Sequence, residues 1–393
     1  MACARRWFRP LAAAALALTS IAWTGLGTAA AETGGTSWAQ RATQTDAALQ
    51  KYFVADDGSG LYREQYPVES TDNTYSYEWP FSQEHVATLD LTAMTGSGDA
   101  YRSALADRDA AQLDYWEDTS TTGKAGFASG AVPPYANGGD LFYDDNEWVG
   151  LQDVQHYALF HDAASLQQAR AIFALVESGW DSDQTHADPG GVFWTQAPWS
   201  SDRNTVSNMP GAELGLRLYQ LTGDDEYLQW SLRMYDWTNT YLQNPDGLYW
   251  DHIDLQGDVE KTIWSYNQGV PIGVNVLLFQ ITHDHSYLAA AQRIAKASLA
   301  YYGTSGLDQQ PPYFNSIYFK NLLLLQSVTG GSTYRSALAA YADRMWNTHR
   351  DPTTGLFHFA AAGDPHVQMI EQAAMTQVFA VLAWRPTDYH RLY

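Results

Sequence analysis

Residues 222–228 read Thr222-Gly223-Asp224-Asp225-Glu226-Tyr227-Leu228, and the shape of that stretch recurs along the chain. Counterparts stand at Thr95-Gly96 to Tyr101, His161-Asp162 to Leu166, His283-Asp284 to Tyr287-Leu288, and Thr329-Gly330 to Tyr334. Each lies between two apolar runs. Gly or a polar residue ends one helix, Asp or Ser caps the next, and an aromatic or Leu begins its buried stripe. After the last turn, Tyr334, Ala337, Leu338, Tyr341, Ala342, Met345 and Trp346 fall at the helical spacing of i, i+3, i+4, i+7 and onward. A smaller motif recurs as well: Gly60-Leu61-Tyr62, Gly191-Val192-Phe193, Gly247-Leu248-Tyr249 and Gly355-Leu356-Phe357, read as short extended pieces after the second helix of a hairpin.

Helices at 37–54 and 368–384 complete a set of twelve, or six hairpins. One hairpin cannot bury both of its faces, and closing six into a ring with inner helices against outer ones is the economical solution. The expected fold is therefore all-α, an (α/α)6 barrel, as a single domain over 32–393. Turns inside hairpins are short. The links between hairpins are long, aromatic and Gly-rich, and each enters an even-numbered helix. Long irregular loops on a rigid scaffold are where function usually sits, so the cleft is expected over the N-terminal ends of the inner helices. The segments arriving there are 75–85, 141–148, 200–211, 261–273, 311–321 and the stretch up to Gln368. Pro210 and Pro271 are expected in first turns, where proline is tolerated.

The chain opens with Arg5, Arg6 and Arg9, then an apolar run from Leu11 to Leu18, then Ala29-Ala30-Ala31. This reads as a secretory signal over 1–31, exported by the general or the twin-arginine route, so the mature protein is expected outside the cell. The only cysteine is Cys3, within the signal. That excludes disulfides, a thiolate nucleophile and a Cys-ligated zinc site from the mature chain. With 22 Lys+Arg against 44 Asp+Glu, the surface repels phosphate backbones and anionic lipids. Neither nucleic acid nor, after signal removal, a membrane is an expected partner, and the protein is expected to be a monomer. The 15 Trp, 25 Tyr and 14 Phe fill a core, yet Trp and Tyr also stack on sugar rings, which are indifferent to negative charge.

Asp144-Asp145 carries the chemistry. Adjacent aspartates are common, and Asp56-Asp57 and Asp224-Asp225 are also such pairs. The pair at 144–145 differs in placement. It ends the Gly-rich loop Tyr135-Ala136-Asn137-Gly138-Gly139, opens an inner helix, and is bracketed by Tyr143 and Trp148. A glycosidase needs one ionised carboxylate and one protonated carboxyl, and two close carboxyls in a dry cleft split their pKa values to supply both. Asn204, Asn208, Tyr266, Asn267 and Gln268 reach the cleft by the loop argument as candidate sugar-binding residues. Trp79, Trp194 and Trp264 are candidate stacking platforms. Asp202 and Arg203 either tune the pair or form a surface ion pair. His156 and His161 read as packing and turn residues, and Asp181, Asp183 and Asp188 as an ordinary solvated turn.

YDDNEW (143–148), DRNTVSN (202–208), RLYQLTGDDEYLQWSLRMYDW (217–237) and WSYNQGVPIG (264–273) together resemble glycoside hydrolase family 76, the endo-α-1,6-mannanases, in order over about 80–385. The resemblance implies an (α/α)6 barrel that hydrolyses α-1,6-linked mannan with retention, Asp144 as nucleophile and Asp145 as acid/base. Glu147 and Val149 depart from the family's pattern beside the pair. No metal and no cofactor is implied. No HExxH, phosphate loop or GxSxG elbow is present. Two other readings stay open: a mannan transglycosylase, and a non-catalytic glycan-binding protein of the same fold.

Overall fold

The computed structural model describes residues 36–361 and 363–393. The segment read as a signal, with Cys3, lies outside the described residues. Twelve α-helices form two concentric rings. The inner ring holds α2 (Glu78–Thr92), α4 (Tyr143–Phe160), α6 (Thr205–Thr222), α8 (Tyr266–Thr282), α10 (Pro312–Thr329) and α12 (Met369–Leu382). The outer ring holds α1 (Trp38–Phe53), α3 (Arg102–Gln112), α5 (Ala163–Ser178), α7 (Asp225–Tyr241), α9 (His285–Tyr302) and α11 (Thr333–Thr348). Each inner helix packs against the next, and α12 packs back on α2 to close the ring. Five hairpins are continuous, but the sixth joins the two ends of the described chain, because α1 packs on α12. The Arg41–Asp343 ion pair at 2.6 Å ties α1 to α11.

Burial separates the rings as the sequence pattern requires. Outer helices bury one stripe, as α11 does with Leu338, Tyr341, Ala342 and Met345. Inner helices are buried on every face along most of their length, and in α12 every residue is covered, as expected for a helix enclosed by neighbours. Small residues set the spacing. A side chain at Gly269 would meet the Tyr318 backbone at 2.6 Å, so only glycine lets α8 lie this close to α10.

The turns follow the repeat. Asp162, Asp224 and Asp284 accept N–H bonds as N-caps, and Gly223 ends α6 in the left-handed conformation. His161 and His283 occupy the same left-handed position. Ser332 departs from the expectation, since it caps α11 without a side-chain bond. Pro210 and Pro271 also differ from expectation. Each sits six residues into its helix, because α6 and α8 start at Thr205 and Tyr266, a turn earlier than the proline rule suggests.

The four Gly-aromatic pieces are short bridges: Val54↔Tyr62, Trp180↔Val192, Gln243↔Tyr249 and Arg350↔Phe357. Small strands lie among the loops. Asp202–Asn204 (β4), His252–Asp254 (β5) and Val259–Glu260 (β6) form an antiparallel sheet. Gln65–Tyr66 (β1) pairs with Val367–Gln368 (β7), and Trp116–Glu117 (β2) with Gly126–Phe127 (β3). No described helix is long and apolar enough to cross a membrane.

Candidate active site

The site forms where the long loops enter the inner ring. Asp144 and Asp145 occupy the first turn of α4, where unpaired N–H groups and the helix dipole favour negative charge. The backbone leading in is clamped by the loop before α6: Tyr143 N–H donates to Trp194 O at 2.9 Å, and Gln196 N–H donates to Leu141 O at 3.1 Å. The Trp194 indole then donates to Asp144 Oδ2 at 3.2 Å. Asp144 is buried, and its Oδ1 has no partner among the described residues. Asp145 is partly exposed.

Two further carboxyls crowd the pair. Glu78, in the first turn of α2, is fully buried. Its Oε1 accepts Gln112 Nε2 at 2.6 Å, while Oε2 has no partner among the described residues. Glu147 lies one turn below Asp144, facing Gly211 of α6, with both oxygens unpaired among the described residues. Burial pushes Asp144 well above the usual carboxylate range, Asp145 adds to the rise, and the Trp194 N–H opposes it. Burial also raises Asp145, with the Glu78 charge adding to the rise. Glu78 and Glu147 rise through burial and then the Asp144 charge. Burial and mutual charge thus push all four carboxyls in the same direction, toward holding their protons.

Aromatic rings flank the acids. Tyr266 stacks on Phe314 with centroids 3.8 Å apart and planes at 6°. Trp79 and Trp264 pack on the same Phe314 at 6.1 and 5.5 Å, and Trp79 meets Tyr313 at 5.3 Å. Beside Asp144, Trp194 contacts Phe142 at 5.0 Å and Trp199 at 6.1 Å, and Trp199 is 56% exposed. Trp79, Trp194 and Trp264 are partly exposed at the mouth.

Other sequence candidates fall differently. Asn208 is fully buried: its Oδ1 accepts Val192 N–H at 2.8 Å, and its Nδ2 donates to Val192 O and Asn204 O. Gln268 treats Tyr249 N–H and O the same way. Asn146 does so for Phe127 and Gln372 for Phe357. These amides clamp the extended pieces to the inner ring, so Asn208 and Gln268 hold backbone and have no group left for a sugar. Trp148 and Tyr143 are also corrections, since both are core side chains (0% and 2% exposed). The residue spacing that brackets the aspartates turns these two rings inward along the helix.

Asn267 is buried and donates to Asp251 Oδ1 at 3.1 Å. Asn204 is buried with an unpaired Oδ1 among the described residues. Arg203 is fully buried, paired with Asp181 at 2.8 Å and donating to four backbone carbonyls. It braces the loop before α6, and Asp181 is accordingly a buried ion-pair partner rather than part of a solvated turn. Asp202 lies 3.9 Å from His252 Nε2. Asp251, His252 and Glu260 bring one ligand atom each within 4.8 Å. However, Asp251 already accepts Asn267 Nδ2 and meets His252 Nδ1 at 3.0 Å, and the Glu260 carboxylate accepts the Thr262 N–H and hydroxyl, so all three already have protein partners.

Glu78, Tyr313, Phe314 and Asp251 escaped the sequence reading. The first three lie in segments already assigned to the cleft, and a carboxyl or ring at a helix start was the available signal. Asp251 follows a Gly-aromatic piece and carried none.

Comparison with known proteins agrees with this architecture. The profile of Glycosyl hydrolase family 76 matches residues 37–383. A mannan endo-1,6-alpha-mannosidase of Candida glabrata is 30% identical over 152 residues, covering 35% of this chain and 33% of that protein. One of Candida albicans is 29% identical over 133 residues, covering 32% and 29%. The matched stretches span about a third of these relatives. A family 76 glycoside hydrolase from a bovine Bacteroides thetaiotaomicron strain is 26% identical, with TM-score 0.78 over 88% of this chain and 78% of that one. An inactive variant of the α-1,6-mannanase of Salegentibacter sp., in complex with α-1,6-mannotriose, shares the fold at 20% identity. Its TM-score is 0.69 over 88% and 99% of the two chains.

Proposed function

The chain belongs to glycosyl hydrolase family 76, and from that premise we propose that it hydrolyses the α-1,6-linked backbone of mannan with retention, outside the cell, after removal of residues 1–31. The observation that carries the reading is the pair Asp144 and Asp145 in the first turn of α4, with an indole N–H on one and a third carboxyl beside the other. The similar Salegentibacter mannanase was made inactive by replacing two consecutive aspartates and binds α-1,6-mannotriose, which supports assigning the chemistry to such a pair.

The two environments divide the roles. Burial raises both carboxyls, and the one side-chain hydrogen bond that opposes the rise, from the Trp194 N–H, falls on Asp144, which makes Asp144 the better nucleophile of the two. The Glu78 charge favours the protonated form of Asp145, which suits an acid. In the first step an Asp144 oxygen bonds to the anomeric carbon, the glycosidic C–O bond breaks, and the Asp145 proton goes to the leaving oxygen. In the second step Asp145 takes a proton from water, the hydroxide oxygen bonds to the anomeric carbon, and Asp144 is released as carboxylate. Neighbouring Cα atoms are about 3.8 Å apart, which suits the roughly 5–5.5 Å carboxyl separation of a retaining site better than the roughly 6.5–9.5 Å of an inverting one.

The test is incubation with linear α-1,6-mannan and separation of the products. Shorter oligomers are expected. Longer ones would mean that a sugar, not water, discharges the intermediate, and binding without new products would leave only glycan recognition.

A further inference from the structure

A second cavity, of about 490 Å³, lies beside the catalytic acids between the loop entering α2 and the loop entering α4. Its walls are Asn73, Tyr75 and Tyr77 on one side and Tyr135 and Asn137 on the other. Tyr77 directly precedes Glu78, and Glu78 N–H donates to Ser129 O at 2.9 Å, so both walls are anchored at the rim of the acid cluster.

The walls are built. Tyr75 donates to Asp57 Oδ2 at 2.7 Å and meets the Tyr135 ring edge-on at 5.8 Å. The second loop is closed on itself by Gly138 N–H to Ala131 O at 2.9 Å, and a side chain on Gly130 would meet Gly138 O at 2.8 Å. Gly138 has φ +72°, a conformation glycine adopts without strain.

Its chemistry selects a neutral, hydroxyl-rich guest. The one charged lining residue, Asp72, is already occupied by Gln65 Nε2 at 3.0 Å and Glu69 N–H at 2.7 Å. Among the described residues, no hydrogen bond uses the amides of Asn73 and Asn137 or the hydroxyls of Tyr77 and Tyr135. The Tyr77 ring packs on no other ring there and is 51% exposed. An open aromatic face beside unengaged amides, with no free cation or anion, suits a hexose, and the volume lies within the roughly 300–1,000 Å³ of small-ligand sites.

Resting on the mannan-hydrolase reading, we propose that this cavity binds a single neutral hexose standing off the mannan backbone, so that the enzyme accommodates branched mannan. Tyr77→Ala and Asn137→Ala test it, with kcat/KM measured on linear α-1,6-mannan and on the same backbone bearing single mannose branches. Each variant is expected to lose about tenfold on the branched substrate and to match the wild type on the linear one. Equal losses on both would make the cavity a backbone subsite, and no loss on either would leave it without a guest; each result overturns the proposal. If the wild type cuts neither substrate, the hydrolase reading fails instead. NMR titration of wild type and Tyr77→Ala with methyl α-mannoside then judges the cavity by itself: binding weakened by the substitution supports it, and equal or absent binding refutes it.

Discussion

Replacing Asn208 by alanine separates a scaffold amide from a sugar-binding one. The side chain is fully buried and makes three bonds, to Val192 N–H at 2.8 Å, Val192 O at 3.3 Å and Asn204 O at 2.8 Å. A buried group left without its partner costs roughly 1–3 kcal/mol. The Val192 N–H has no other acceptor nearby and takes the upper part of that range. The Asn204 carbonyl also begins the α6 ladder and takes the lower part. The Val192 carbonyl, bonded at the longest distance, adds least, and the total comes to about 4 kcal/mol. For a domain of about 360 residues, unfolding entropy near 2.1 cal/mol/K per residue converts this to a Tm drop of about 5 °C. Thermal unfolding followed by circular dichroism measures the drop, and kinetics on linear α-1,6-mannan at 25 °C should show KM within about twofold of the wild type. An unchanged Tm with KM raised tenfold would refute the reasoning and return Asn208 to the sugar.

Asp144→Asn and Asp145→Asn should each remove most turnover without lowering Tm, whereas Asp224→Asn, an N-cap replaced by another good cap, should leave turnover within about twofold; activity assays on the three purified variants decide this. Because Asp145 is raised by burial and by Glu78, rate should fall on the alkaline side as it ionises, and Glu78→Gln should move that limb to lower pH in a pH–kcat profile. Proton NMR in the first minutes of hydrolysis should show the α-anomer, while early β-anomer would mean inversion. Glu371 is pushed by burial from the usual 4.5 to about 7; being protonated in both states below 4.5, it costs nothing there and destabilises increasingly as pH rises to 7. Glu371→Gln, which keeps the capping arrangement at the start of α12, should therefore match the wild type in unfolding free energy at pH 4 and exceed it by about 3 kcal/mol at pH 8, as read by denaturant unfolding. The intact mass of the exported product should correspond to a chain beginning near Glu32, and a retained N-terminus would contradict the signal reading.

The repeat at 222–228 was legible because hairpin turns are local. An N-cap aspartate bonds an N–H two residues on, and a left-handed glycine ends a helix without reference to anything distant. The same locality made the α11 stripe readable, and it placed Asp144 and Asp145 at a helix start. The amide clamps were less legible. Asn208 reaches back 16 residues to Val192, and Gln268 reaches 19 to Tyr249. An asparagine that holds backbone is indistinguishable in sequence from one that holds a sugar hydroxyl.

Periodicity, caps and loop lengths thus determined twelve helices, their pairing, and the end of the ring that carries the acids, since each follows from contacts within a turn or two of the chain. Tertiary structure alone decided which side chains meet over that end. Glu78 comes from α2 to lie beside a pair on α4, 66 residues later in the chain. Trp194 crosses from the following link to hydrogen-bond Asp144, and Phe314 of α10 gathers Trp79 from the start of α2 and Trp264 and Tyr266 from the start of α8. How firmly carboxyls hold their protons depends on distance and burial, and both are set by ring closure rather than by neighbourhood along the chain.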